Sequence, residues 1–183
     1  MMTPTLICKT ILASSLFFNP IWLDAHPEIK EEATVVCEEV AQKAIDTGID
    51  PVLVTALAYS ESRFKRHLMS KAGAIGPLQI MAHHHCPGRR SKGCDLVQTG
   101  INTLRKLAIR YGCGKELQKH TEALLNKGGE AYTSWLAKQA ICASPDWEKT
   151  ICHYNSGTTC YSRGFPRLVL SRAKVIQELL EKQ

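Results

Sequence analysis

Thr55 to Met81 reads TALAYSESRFKRHLMSKAGAIGPLQIM. It opens as a helix and closes as a glycine-rich loop. Asp50 suits the N-cap of that helix and Pro51 its first turn. Val52, Leu53, Ala56 and Leu57 recur at helical spacing. Glu61 falls at the end of this apolar run, so the chain sets a carboxylate at the edge of a core. The charged form is poorly solvated there, and the pKa rises. A carboxylic acid that keeps its proton near neutral pH is the kind of group that glycosidic bond cleavage uses.

Beyond Glu61 come Ser70, then Gly73-Ala74-Ile75-Gly76, then Gln79-Ile80-Met81. Gly73 and Gly76 let the backbone turn sharply and lie close to a ligand. Ser70 and Gln79 are neutral hydrogen-bonding groups suited to a sugar or its acetamido groups. Met81 offers a soft apolar wall.

Glu61, Ser62 and Phe64 (Glu-Ser-x-Phe), then Ser70, Gly73 to Gly76 (Gly-Ala-x-Gly) and Gln79 to Met81 resemble the catalytic core of the soluble-type lytic transglycosylases. A third motif of that family, Tyr-Asn-x-Gly, is matched by Tyr154-Asn155-Ser156-Gly157. The resemblance runs from about Ile49 to Val169. The chain departs from the pattern at Pro77-Leu78, where Leu-Met is frequent, at Ala82, where proline is frequent, and at Ser156, where alanine is common. None of these removes a chemical group.

The resemblance implies an all-α, lysozyme-like helical domain with a glycine-rich active-site loop, acting on peptidoglycan. It implies that Glu61 is the catalytic residue and that Ser70, Gln79, Met81, Tyr154 and Asn155 bind substrate. Glu61 would protonate the oxygen between N-acetylmuramic acid and N-acetylglucosamine. Its carboxylate would then take the proton of the C6 hydroxyl, whose oxygen closes on C1 to leave a 1,6-anhydro end. No second acid stands in the motifs, as this water-free chemistry permits and an inverting hydrolase does not. No cofactor and no metal is implied. The small size resembles the specialised enzymes that open the wall for a secretion or conjugation apparatus; a phage-borne wall enzyme is the other setting.

Working outward, Met1 to Ala25 reads as a secretory signal and residues 26–183 as the domain proper. Lys9 is the lone charge before Ile11, Leu12, Ala13, Leu16, Phe17 and Phe18, and Leu23-Asp24-Ala25 resembles a cleavage site. Asn19-Pro20 interrupts the run, against a membrane span. The expected location is therefore periplasmic or secreted. Eight cysteines agree with an oxidising compartment. Cys86 with Cys94, and Cys152 with Cys160, are close pairs, each closing a short loop worth about 2–3 kcal/mol. Without Cys8, at least one of Cys37, Cys113 and Cys142 is left over.

Pro27 to Thr47 reads as a helix with Ile29, Ala33, Val36, Val40 and Ala44 on one stripe, ended by Gly48. His83-His84-His85-Cys86 invites a zinc reading, but adjacent residues cannot all face one metal, and no second cluster has finger spacing. A disulfide-closed basic loop with Arg89, Arg90 and Lys92 is expected instead. Asp95 caps a helix to about Tyr111. Lys115 to Asn126 and Glu130 to Ile141 read as two short helices around Gly128-Gly129, with Trp135 in the core. Pro145 or Asp146 begins the helix carrying Tyr154, and Pro166 opens a terminal helix.

A length of 183 residues suits one domain. The net charge of +6 suits an anionic partner; Arg105, Lys106 and Arg110 read as a solvated face, and no nucleic acid is expected. Two other functions compete with the transglycosylase. A lysozyme-type hydrolase on the same scaffold needs a second carboxylate, such as Asp95, near Glu61. A non-catalytic wall-binding protein would hold purified wall without releasing fragments.

Overall fold

The computed structural model describes residues 2–113, 142, 144–161 and 163–183. They are mainly helical. In chain order they form α1 (Pro4–Ala13), α2 (Pro20–Asp24), α3 (Pro27–Thr47), α4 (Pro51–Ser62), β1 (Ala74–Ile75), β2 (Ile80–Met81), α5 (Ala82–His85), α6 (Leu96–Leu107), α7 (Trp147–Ser156) and α8 (Gly164–Leu180). The expected helices 115–126 and 130–141, with Gly128-Gly129 and Trp135, lie outside the described residues. The chain divides into two compact units, Met1–Ile101 with Leu168–Gln183, and Asn102–Arg167.

The first unit is built around α4. Asp50 caps it, its carboxylate accepting the Val52 N–H at 2.8 Å, and Pro51 opens it. Every residue from Val52 to Tyr59 is buried. A helix apolar on all sides belongs inside a core rather than on a surface. Helix α3 packs against α4 and α1 through Ala33, Val36, Val40, Ala41 and Ala44, which are buried. It ends at Gly48, whose left-handed φ of 74° only glycine adopts cheaply.

Helix α1 lies in this core too. Ile7, Cys8 and Ile11 are fully buried, and Cys8 is bonded to Cys37 of α3. The left-over thiol expected from the sequence is thereby corrected. Four disulfides, Cys8–Cys37, Cys86–Cys94, Cys113–Cys142 and Cys152–Cys160, take up all eight cysteines. Both short pairs read from the sequence are among them. The other two span 29 residues each, a separation that carries no local signal.

In the second unit α6 runs on into a wider π turn, Ala108–Gly112. The Asp146 N–H donates to the Gly112 carbonyl at 2.9 Å. Tyr111 stacks on the His153 ring at 3.7 Å between centroids. The Asp146 carboxylate caps α7 by accepting the Lys149 N–H at 2.9 Å. Helix α8 starts at Gly164, two residues before the proline expected to open it. Pro166 still sits in the first turn, where no N–H is needed. Among the described residues no helix is long and apolar enough to cross a membrane.

Candidate active site

Glu61 stands in the last turn of α4 and is half-buried. Burial raises its carboxyl from the ordinary 4.5 to about 7. No charged neighbour contributes to this rise, so Glu61 is an acid made by its surroundings alone.

The chain leaves α4 through Arg63 and Phe64, both left-handed, at φ 53° and 62°. Two consecutive non-glycine residues in that region are strained. The Phe64 ring is fully buried, and its packing holds the turn. The turn aims the chain into the loop that carries the next motif.

That loop is a small hairpin. Ala74 pairs with Met81 and Ile75 with Ile80, antiparallel. The Ser70 hydroxyl accepts the Ala74 N–H at 3.0 Å, and the Ser70 N–H reaches the Ala74 carbonyl at 2.9 Å. Gly73 and Gly76 take φ of 86° and 82°. A Cβ on Gly76 would come within 2.9 Å of the Leu96 side chain. Both the turn and the close approach therefore require glycine there. Gln79, itself at φ 45°, donates its side-chain amide to the carbonyls of Leu68 at 3.0 Å and Gly76 at 2.9 Å. Its amide hydrogens brace the loop. Met81 is half-buried on β2.

Ser62 ties the loop to the acid. Its buried hydroxyl lies 2.9 Å from the Pro77 carbonyl and 3.1 Å from that of Ala58. The residue beside Glu61 is thus fastened to the loop carrying Gln79. Sequence reasoning quoted Ser62 as part of a motif without finding this role. On the other side of Glu61, the Ser60 hydroxyl accepts from Arg172 of α8 at 2.8 Å. The Arg172 guanidinium lies 5.0 Å from the Tyr59 ring centre. A partner 112 positions away leaves no mark in the local sequence.

The structure thus brings Glu61, Ser70, Gln79 and Met81 into the first unit and carries Tyr154 and Asn155 on α7 of the second. Tyr154 is half-buried and Asn155 exposed. Gly157 ends α7 at φ 71°, its N–H bonded to the His153 carbonyl at 2.9 Å. The Cys152–Cys160 bond closes the loop that follows.

Asp95 is committed elsewhere. Its carboxylate caps α6 by accepting the Gln98 N–H at 2.9 Å and receives the Lys43 ammonium. Burial acts to raise its pKa. The hydrogen bonds from Lys43 and the backbone outweigh that and hold it below the usual range. Lys43 also pairs with Glu39 at 3.1 Å, and Glu39 with Arg66 at 2.7 Å. Asp95, Glu39 and Arg66 border a groove of about 490 Å³ whose lining includes neither Glu61, Ser70 nor Gln79.

His83, His84 and His85 form α5 and are exposed, as are Arg89, Arg90 and Lys92 in the loop closed by Cys86–Cys94. Among the described residues no group of three or more His, Cys, Asp or Glu is arranged to hold a metal ion.

A family model described as "Transglycosylase SLT domain" matches residues 38–166. No curated protein and no solved structure matches the chain significantly.

Proposed function

We propose, since this chain belongs to the transglycosylase SLT domain family and its general activity is lytic, transglycosylase-type degradation of peptidoglycan, that Glu61 performs both proton transfers of the cleavage. The bond broken is the β-1,4 link between N-acetylmuramic acid and N-acetylglucosamine. Glu61 gives its proton to the bridging oxygen, and the bond from that oxygen to C1 of the muramic acid breaks. The 2-acetamido group of the same sugar supports the cation-like centre. The Glu61 carboxylate then takes the proton of the C6 hydroxyl, and that oxygen bonds to C1. The acid is regenerated, no water is consumed, and one end of the product is a 1,6-anhydro sugar.

The single observation carrying this reading is a half-buried carboxyl in the last turn of α4, raised to about 7 by burial. At that value it holds a proton to give and, once spent, is basic enough to take one back. The engagement of Asp95 with Lys43 supports the transglycosylase over a hydrolase with Asp95 as its second carboxylate. Ser70, the Gln79 Oε1, Met81, Tyr154 and Asn155 complete the proposed substrate contacts. Four disulfides support work in an oxidising compartment, at the wall. The settings we propose are a periplasmic or secreted enzyme that opens the wall for a secretion or conjugation apparatus, and a phage-borne one.

The test is the mass of the fragments released from purified sacculi. Anhydro ends, lighter by one water than reducing ends, are expected, and they vanish in Glu61→Gln. Reducing ends as the main product would turn the reading into a muramidase. Fragments from a folded Glu61→Gln protein at the wild-type rate would remove Glu61 from the chemistry.

A further inference from the structure

We propose that residues 4–24 stay in the working enzyme as a disulfide-fastened strap that holds the turn after the Glu61 helix. The observations come from the packing of this segment. Part of the apolar run that reads as a leader is here the buried face of α1 and the turn beyond it: Ile7, Ile11, Leu12 and Phe17 are buried, while Leu16 is exposed. Cys8 bonds to Cys37. Thr10 accepts a hydrogen bond at 2.8 Å from the amide of Gln183, at the far end of the chain.

The contacts then lead to α4. The Tyr59 hydroxyl donates to the Phe17 carbonyl. The Phe17 ring meets Tyr59 edge-on at 5.1 Å, and Phe18 does so at 5.3 Å. Phe18 also stacks towards Phe64 at 6.5 Å, and Tyr59 lies 6.0 Å from the same ring. Phe64 is the second residue of the left-handed pair and is fully buried. Strained backbone of this kind persists only when its surroundings over-determine it. Here the surroundings include the strap. Cutting the chain after Ala25 would leave the Cys37 thiol unpaired and the Tyr59 hydroxyl without its acceptor. It would also strip Phe18 from the Phe64 ring. Phe17 and Phe18 are then positioning residues, acting on Glu61 through α4 and its exit turn.

The role in positioning rests on the activity proposed above; the retention of the segment does not. The 183-residue chain is produced in a bacterial host and recovered as folded protein, and its intact mass is read without reductant. Residues 4–24 and four closed disulfides are expected. A folded population that begins near residue 26 would overturn the proposal. In a second arm Phe18→Ala and Phe18→Leu are compared on sacculi, well below their melting temperatures. Phe18→Ala is expected to lower kcat about tenfold with KM unchanged, as small misplacements of a catalytic group do. Phe18→Leu is expected to recover most of that loss. Unchanged kcat in a folded Phe18→Ala, or a loss confined to KM, would refute the positioning role. If wild-type protein released nothing from sacculi, the Glu61 reading would fall. The mass, and the melting temperature of a Cys8→Ser, Cys37→Ser protein, would still decide whether the strap belongs to the fold.

Discussion

Replacing Glu61 by glutamine is expected to make the protein more stable as well as inactive, and the gain depends on pH in a way that can be worked out. Burial raises the folded carboxyl from 4.5 to about 7. Between those values the folded chain holds a proton that the unfolded chain has released. Stability therefore falls as pH rises through this window and levels off above it. The difference of about 2.5 pH units, at 1.36 kcal/mol each, makes the full cost about 3 kcal/mol at about pH 8. Glutamine has nearly the same shape and no proton to lose. The stability of Glu61→Gln relative to wild type should then be near zero at about pH 4 and about 3 kcal/mol at about pH 8. For a chain of this size that is a gain of roughly 6–12 °C in melting temperature. Other titrating pairs, Lys43 with Asp95 among them, are common to both proteins and cancel in the difference. Urea unfolding followed by circular dichroism, without reductant, measures it at each pH. Two curves that run parallel from acid to base would show that Glu61 is not desolvated. The account of its chemistry would fail with them.

Two further perturbations test the loop. Gly76→Ala is expected to cost about 2 kcal/mol, from the left-handed φ and from the contact its Cβ would make with Leu96. A melting temperature within a degree or so of wild type would mean that Leu96 yields freely. Ser62→Ala leaves the Pro77 carbonyl without its hydroxyl partner and should cost about 1–2 kcal/mol. Because that bond ties the loop to the Glu61 helix, kcat on sacculi should fall as well; full kcat in a destabilised protein would show that the tie serves stability alone.

Much of this fold can be read locally. Pro27, the apolar stripe and Gly48 bound α3, and the structure places it at Pro27–Thr47. Asp50, Asp95 and Asp146 all cap the helices they precede, because a carboxylate beside the first free N–H groups is a local matter. The rise in the Glu61 pKa follows from its place at the end of an apolar run. The hairpin was not legible: two-residue strands have no alternation to detect, and its register depends on glycine and Gln79 conformations. Nor was the chain of charges from Asp95 through Lys43 and Glu39 to Arg66, whose two ends lie outside the helix α3 that carries Lys43 and Glu39. The N-terminal run was ambiguous for a physical reason. An export leader and a helix buried among others both demand apolar residues, and the Cys8–Cys37 bond joins positions too far apart to leave a local signal.

The way Gln79 spends its amide sets the polarity of its own side chain. With both hydrogens given to the carbonyls of Leu68 and Gly76, the side chain would meet the sugar proposed to bind there purely as an oxygen. Any guest settling against it must supply the hydrogen itself, as a free hydroxyl or a secondary amide does. Esterifying that hydroxyl would present oxygen to oxygen, so chemical masking of the polymer would be felt here as repulsion.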